Sequence, residues 1–199
     1  MGSLTGVKAT LGGAAAIAAV STLGDFIWAT WIPQHRVAYG LAHGAALFLC
    51  VGLFLGALAN RRAAGALWGA LIGLAAAGSF YLLAPVAGRW MMFMAWFGIW
   101  IALGLLNERL RHGCGSALSP GGQPAANKGS GMGIAAARGV LAAVVSGAAF
   151  YLVSGIWRPF NPQGWDYLVH LGAWMLAYLP GFAALLVARP QSGAVRSGA

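Results

Sequence analysis

Asp25, His43 and His170 are the side chains of this sequence whose type and position best suit chemistry. Each interrupts a long apolar run. An ionisable group costs about 2.5–3.5 kcal/mol at the centre of a bilayer-spanning helix, so its presence calls for a reason. Counted from the nearer end of its run, Asp25 lies seven residues in, His43 six and His170 five. At about 1.5 Å per helical residue the three share one depth, roughly 10 Å for Asp25. A carboxylate beside an imidazole can hold a polar head group or relay a proton. We expect Asp25 to pair with His43 or His170 in a sheltered, partly wet layer. Ser79, Tyr81, Tyr151 and Tyr167 add hydroxyls to that layer, and Trp96 takes the position that histidine holds elsewhere. These eight residues form the candidate ligand-binding set. The structural alternative is a polar knot that fastens helices together, each group satisfied by its neighbours. Asp166, Arg158 and His35 belong at the mouth, where interfacial solvation accounts for them, and Glu108 beside Arg109 reads as a solvated helix end.

Other chemistries draw on the same residues. Two facing histidines, His43 and His170, can hold a haem. Asp25, His43 and His170 make a conceivable metal triad, although no ligand spacing supports it. Asp25 as proton donor in an aromatic pocket suits acid-initiated chemistry on an isoprenoid. No glycine-rich phosphate loop, nucleophile elbow or zinc-protease motif occurs in the sequence. Cys50, in an apolar run, and Cys114, in a polar connector, offer neither a disulfide framework nor a metal spacing. We therefore expect no cofactor and no metal.

The elements that carry these residues follow from composition. The chain has 199 residues, 60% hydrophobic and 8% charged, with 12 Lys and Arg against 3 Asp and Glu. A soluble domain is about 25% charged. So few charges cannot solvate the surface of a globule of this size, which excludes a soluble fold, a disordered chain and a disulfide scaffold. The expected fold is all-α and membrane-embedded. Apolar runs long enough to cross a bilayer fall near 10–32, 37–59, 63–87, 88–107, 134–157 and 165–188. The separators at 33–36, 60–62 and 85–88 are short and force antiparallel neighbours. The Gly-, Ser- and Pro-rich stretch 108–133 reads as a flexible connector, and 190–199 as a similar tail. Four spans thus occupy 1–107, and a third hairpin 134–189.

The net charge of +9 has a topological cause rather than a nucleic-acid partner. Lys8, Arg61, Arg62, Arg109, Arg111, Lys128, Arg138, Arg189 and Arg196 fall on one side, and only Arg36, Arg89 and Arg158 on the other. Under the positive-inside rule, both termini are cytoplasmic. Trp28, Trp31, Trp90, Trp157 and Trp165 gather at the outer ends as an aromatic belt, while Trp68 lies near the inner interface. Lys8 and the run from Leu11 to Val20 resemble the start of a signal peptide. The run continues to Ile32 and belongs to a repeat, so we read it as a span.

The repeat comprises three hairpins. Leu23-Gly24-Asp25-Phe26-Ile27-Trp28 lies over Ala77-Gly78-Ser79-Phe80-Tyr81-Leu82 and over Gly147-Ala148-Ala149-Phe150-Tyr151-Leu152. Phe93 through Trp100 lies over Tyr167 through Trp174, which sets Trp96 over His170. The pairing of the first hairpin is looser, since composition alone produces a similar pattern. Hairpins of equal orientation imply an axis along the membrane normal, with a six-helix bundle around a central volume. Gly40, Gly44, Gly52, Gly56, Gly65, Gly69 and Gly73 recur at intervals of four, a spacing that lets helices approach closely in lipid. The second and third helices should pack on each other or, through Gly40, Gly44, Gly65 and Gly69, on another copy of the chain. Pro180-Gly181 should kink the sixth helix.

The stretch from Leu47 to Gly73, an apolar helix, the turn Asn60-Arg61-Arg62 and a glycine-rich helix, resembles the central part of the insulin-induced-gene (Insig) family. Asn161-Pro162 through Trp174 resembles that family's last outer loop and final span. The resemblance covers about half of the chain at the level of pattern. It implies six spans, cytoplasmic termini and a non-catalytic bundle holding a sterol or other lipid. Asn60 departs from it, because family members that tether protein partners carry an acidic residue there. The sequence thus points to a multi-pass protein of a bacterial-type inner membrane that binds a membrane lipid or sterol-like amphiphile. A small-solute or proton-coupled transporter using Asp25, His43 and His170 is the alternative, and a membrane enzyme acting on a lipid the third.

Overall fold

A computed structural model describes residues 2–32, 37–88, 90–112, 128–154 and 165–187. All six of the expected spans are helices: α1 (Gly2–Trp31), α2 (Val37–Leu58), α3 (Arg62–Ala87), α4 (Trp90–His112), α5 (Lys128–Ser154) and α6 (Asp166–Leu186). Each is long and apolar enough to cross a membrane. No strand occurs among the described residues. Helix is the only local solution for such runs, since each backbone N–H and C=O must find its partner within the segment. Two helices run further than their apolar cores. α4 reaches His112 and α5 begins at Lys128, so both intrude on the stretch read as a connector. Helical hydrogen bonding does not stop where lipid stops, and Glu108, Arg109, Leu110 and Arg111 are good helix formers. Arg36, Arg89, Arg158, His35, Trp157 and Cys114, together with the tail, lie outside the described residues.

The helices form a ring in chain order. α2 packs on α3, α4 on α5 and α6 on α1, while α1 and α2 meet only sparsely. The α2–α3 pair is the closest. A Cβ on Gly52 would strike the backbone of Gly65 and Gly69, and one on Gly73 the backbone of Gly44. Only residues without side chains allow that approach, and its gain is van der Waals contact along two backbones. The glycines of the sequence motif therefore face each other within one chain. Gly65 and Gly69 lie on Gly52, Gly56 and Phe48, Gly44 lies on Gly73 and Ala77, and Gly40 lies on the Tyr81 ring. Self-association through Gly40, Gly44, Gly65 and Gly69 would require this pair to open. α4 and α5 repeat the device at Gly104 and Gly139.

The α2–α3 turn is closed by the chain itself. Asn60 has φ 56°, the left-handed region that asparagine tolerates better than most residues. Arg61 N donates to Gly56 O at 2.6 Å and Asn60 N to Ala57 O at 3.3 Å, the paired bonds of a Schellman stop. The α3–α4 turn uses Gly88 at φ 58°, ψ −145°, which a side chain would strain.

The centre of the ring departs from the expectation of a central volume. Phe48, Val51, Trp96, Ile99, Trp100, Leu103, Tyr178 and Phe182 close on one another, and the space among them is too narrow for a water molecule. The reason is the size of the rings: Trp100 and Phe182 are almost wholly buried, and they meet edge to face at 5.7 Å. At the opposite rim, Trp31, Trp90 and Trp165 are strongly exposed at helix ends that share one side, as an interfacial belt requires. Arg109 lies 5.2 Å over the Trp68 ring at the other side.

Candidate functional site

Asp25 is delivered by α1 to the face of α6. Its Oδ2 accepts from His170 Nε2 at 2.8 Å and from Trp174 Nε1 at 2.7 Å. His170 and Trp174 are four residues apart, hence one above the other on a helix, and both reach the same carboxylate oxygen. One turn deeper, Ser21 Oγ donates to Tyr178 Oη at 3.2 Å, completing a register of Ser21 and Asp25 against His170, Trp174 and Tyr178. Bonds to an ionised acceptor are about twice as strong as neutral ones, and a low-dielectric surrounding strengthens them further. The His170 side chain keeps 11% of its surface exposed and Asp25 keeps 30%. The carboxylate is thus anchored but still reachable.

His43 does not supply the direct partner. Its ring packs on Gly24, the residue beside Asp25, where any side chain would collide with it. It stacks on Tyr39 at 5.9 Å and 6° between planes, and Tyr39 Oη donates to Gly24 O at 2.7 Å. Two imidazoles from α2 and α6 therefore flank one turn of α1, one bonded to the acid and one beside its neighbour. Among the described residues no cluster of three metal-ligating groups forms, so Asp25, His43 and His170 do not make a triad.

The rest of the candidate set disperses. Ser79 Oγ donates to Ala76 O at 2.8 Å on its own helix, which occupies its hydroxyl locally. Tyr81 places its hydroxyl against Gly40 of α2, away from the acid. Tyr167 packs on Phe26 at 5.4 Å, one turn outward of His170. Tyr151 lies on α5 with its side chain outside the described residues. Trp96 joins an aromatic pile instead: 4.9 Å from Phe150, 5.5 Å from Tyr178 and 6.4 Å from Trp174. Its Nε1 is buried and has no acceptor among the described residues. That state costs about 1–3 kcal/mol relative to a paired donor.

The sequence reading passed over Trp174, Tyr178 and Ser21. Their signal was present as His170, Trp174, Tyr178 and Phe182, a stripe at intervals of four on α6, and as Ser21 and Asp25 on α1. In an apolar helix such a stripe has no contrast with its flanks, so periodicity alone does not select it.

One open cavity of about 320 Å³ lies elsewhere, between α4 and α5, lined by Phe93, Trp96, Phe97, Ala143, Val144, Gly147 and Ala148. Chemically, the α1–α6 site offers an acceptor and an imidazole to a donor such as a hydroxyl or an amine. The cavity offers apolar walls. Set against protein families, curated proteins and solved structures, the chain matches none of them.

Proposed function

We propose that this is a non-catalytic integral membrane protein that binds a lipid or sterol-like amphiphile, with the polar head on the Asp25–His170–Trp174 cluster. The observation that carries the reading is the carboxylate itself: it holds two N–H donors and keeps 30% of its side chain exposed. A purely structural knot would bury its acid fully. The packing of α1 on α2 is sparse overall, and that seam gives an amphiphile a lateral approach from the bilayer. A head group carrying a hydroxyl or amine fits, because the free valence of an ionised carboxylate is an acceptor. The likeness to the Insig pattern and the excess of basic residues on one side support the same picture. In it both termini are cytoplasmic, three hairpins share one orientation, and the host is a bacterial-type inner membrane.

Proton-coupled transport uses the same Asp25–His170 pair. It ranks second because the ring of Trp96, Trp100, Tyr178 and Phe182 fills the interior beneath the pair, leaving no space for a water there. Native mass spectrometry of the protein released from lipid nanodiscs tests the binding reading. Wild type is expected to carry one lipid per chain, and Asp25→Asn to lose most of it while keeping its thermal stability within about 1 kcal/mol. Equal lipid occupancy in the two proteins would reject the head-group assignment.

A further inference from the structure

We propose that the α4–α5 groove is a second site, for one neutral lipid whose ring carbonyl accepts a hydrogen bond from Trp96 Nε1. Three seams of the ring join the second helix of one hairpin to the first helix of the next: α2 to α3, α4 to α5, α6 to α1. By the sequence repeat, Trp96 on α4 occupies the place of His170 on α6, and Ala149 on α5 that of Asp25 on α1. At the α6–α1 seam the ring N–H of His170 meets the carboxylate at 2.8 Å. At the α4–α5 seam the corresponding donor, Trp96 Nε1, is buried without an acceptor among the described residues, and the repeat sets alanine in the acid's place. This α4–α5 seam, without the carboxylate, opens into a cavity of about 320 Å³. The pyrrole edge of Trp96 lies against Gly147, whose missing side chain leaves that edge beside the cavity wall. Trp96 itself lines that cavity, so an occupant lies beside the indole.

The occupant follows from the walls. An indole N–H only donates, so the ligand must accept. No charged side chain lines the groove, so the ligand is neutral. Phe93, Trp96 and Phe97 favour a planar ring, which packs well on aromatic faces and edges. Trp96 lies six residues into α4, about 9 Å from its first residue. The cavity is at the small end of ligand pockets, about 300–1,000 Å³, so it takes a ring and leaves the tail along the lipid-facing surface. A quinone-type ring on an apolar chain meets every condition. This site does not depend on the Asp25 reading and can fail alone.

The test uses the full chain in detergent micelles with its tryptophans nitrogen-15 labelled, Trp96 being the indole resonance absent from Trp96→Phe. Decylbenzoquinone is titrated against decylbenzene, which has the same tail and no carbonyl. We expect a saturable downfield shift of the Trp96 N–H with the quinone alone. It should persist in Asp25→Asn and vanish in Gly147→Leu or, if that variant does not fold, in Ala148→Leu. Trp96→Phe should weaken quinone affinity about 2- to 10-fold, the worth of one hydrogen bond. Ala149→Asp should shift the Trp96 resonance without any probe and weaken the quinone at least as much. The proposal is overturned by no saturable shift, by equal shifts with both probes, by a shift that survives filling of the groove, or by unchanged affinity in folded Ala149→Asp.

Discussion

Asp25 shows how one side chain sets the character of a helix interface. Two donors converge on a single oxygen, and truncating the acid strands both in a region with little water. Asp25→Ala should therefore lower the unfolding free energy of the detergent-solubilised protein by about 1–3 kcal/mol. Asp166→Ala, at an exposed helix start, should cost under about 1 kcal/mol. Thermal or denaturant unfolding of the two variants side by side checks this, and equal losses would remove the case for a sheltered pair. The type and depth of Asp25, His43 and His170 were legible in the sequence, because an ionisable group in an apolar run stands out by itself. Which imidazole takes the proton-bearing bond was not. That choice depends on how α1 is rotated between α2 and α6, and every face of these helices is apolar enough to be turned either way.

At the scale of the element, glycine decides how near two helices come. Gly52 and Gly69 meet backbone to backbone, whereas Gly12 and Gly98 have nothing within 4 Å of where a Cβ would sit. The same residue type thus has opposite sensitivities. Gly52→Leu should separate α2 from α3 and cost more than about 3 kcal/mol, in the range of severe overpacking. Gly12→Ala and Gly98→Ala should be neutral or stabilising by about 0.5–1 kcal/mol, since alanine loses less backbone entropy in a helix. Thermal melts in detergent measure all three, and a Gly52→Leu protein as stable as wild type would mean that the α2–α3 approach is not required. The spacing of four announced close packing. It left open whether the partner was the chain itself, because a small-residue stripe is the same surface in either case.

For the whole molecule, the arrangement is a ring of five packed seams and one loose one, with its middle filled by aromatic rings. On the orientation proposed from charge, single cysteines placed at 36 and at 128, in a background lacking Cys50 and Cys114, should label only from outside and only from inside, respectively. A membrane-impermeant thiol reagent on intact cells reads this, and the reverse pattern would invert the topology. A filled middle also moves attention to the rim, where the Asp25 cluster and the α4–α5 groove both lie.

Six helices long and apolar enough to cross a membrane, and the interruption of three of them by Asp25, His43 and His170, were determined by the sequence alone, since each depends on local hydropathy, run length and short connections. Packing decided the rest. Whether Asp25 meets His170 rather than His43, whether Ser79 and Tyr81 join it, and whether the centre is hollow all depend on helix rotations of tens of degrees and on how Trp96, Trp100 and Trp174 share volume with their neighbours. Those quantities arise only when six helices press on one another at once. No single segment carries them, because lipid offers every apolar face the same welcome until a neighbouring helix fits it better.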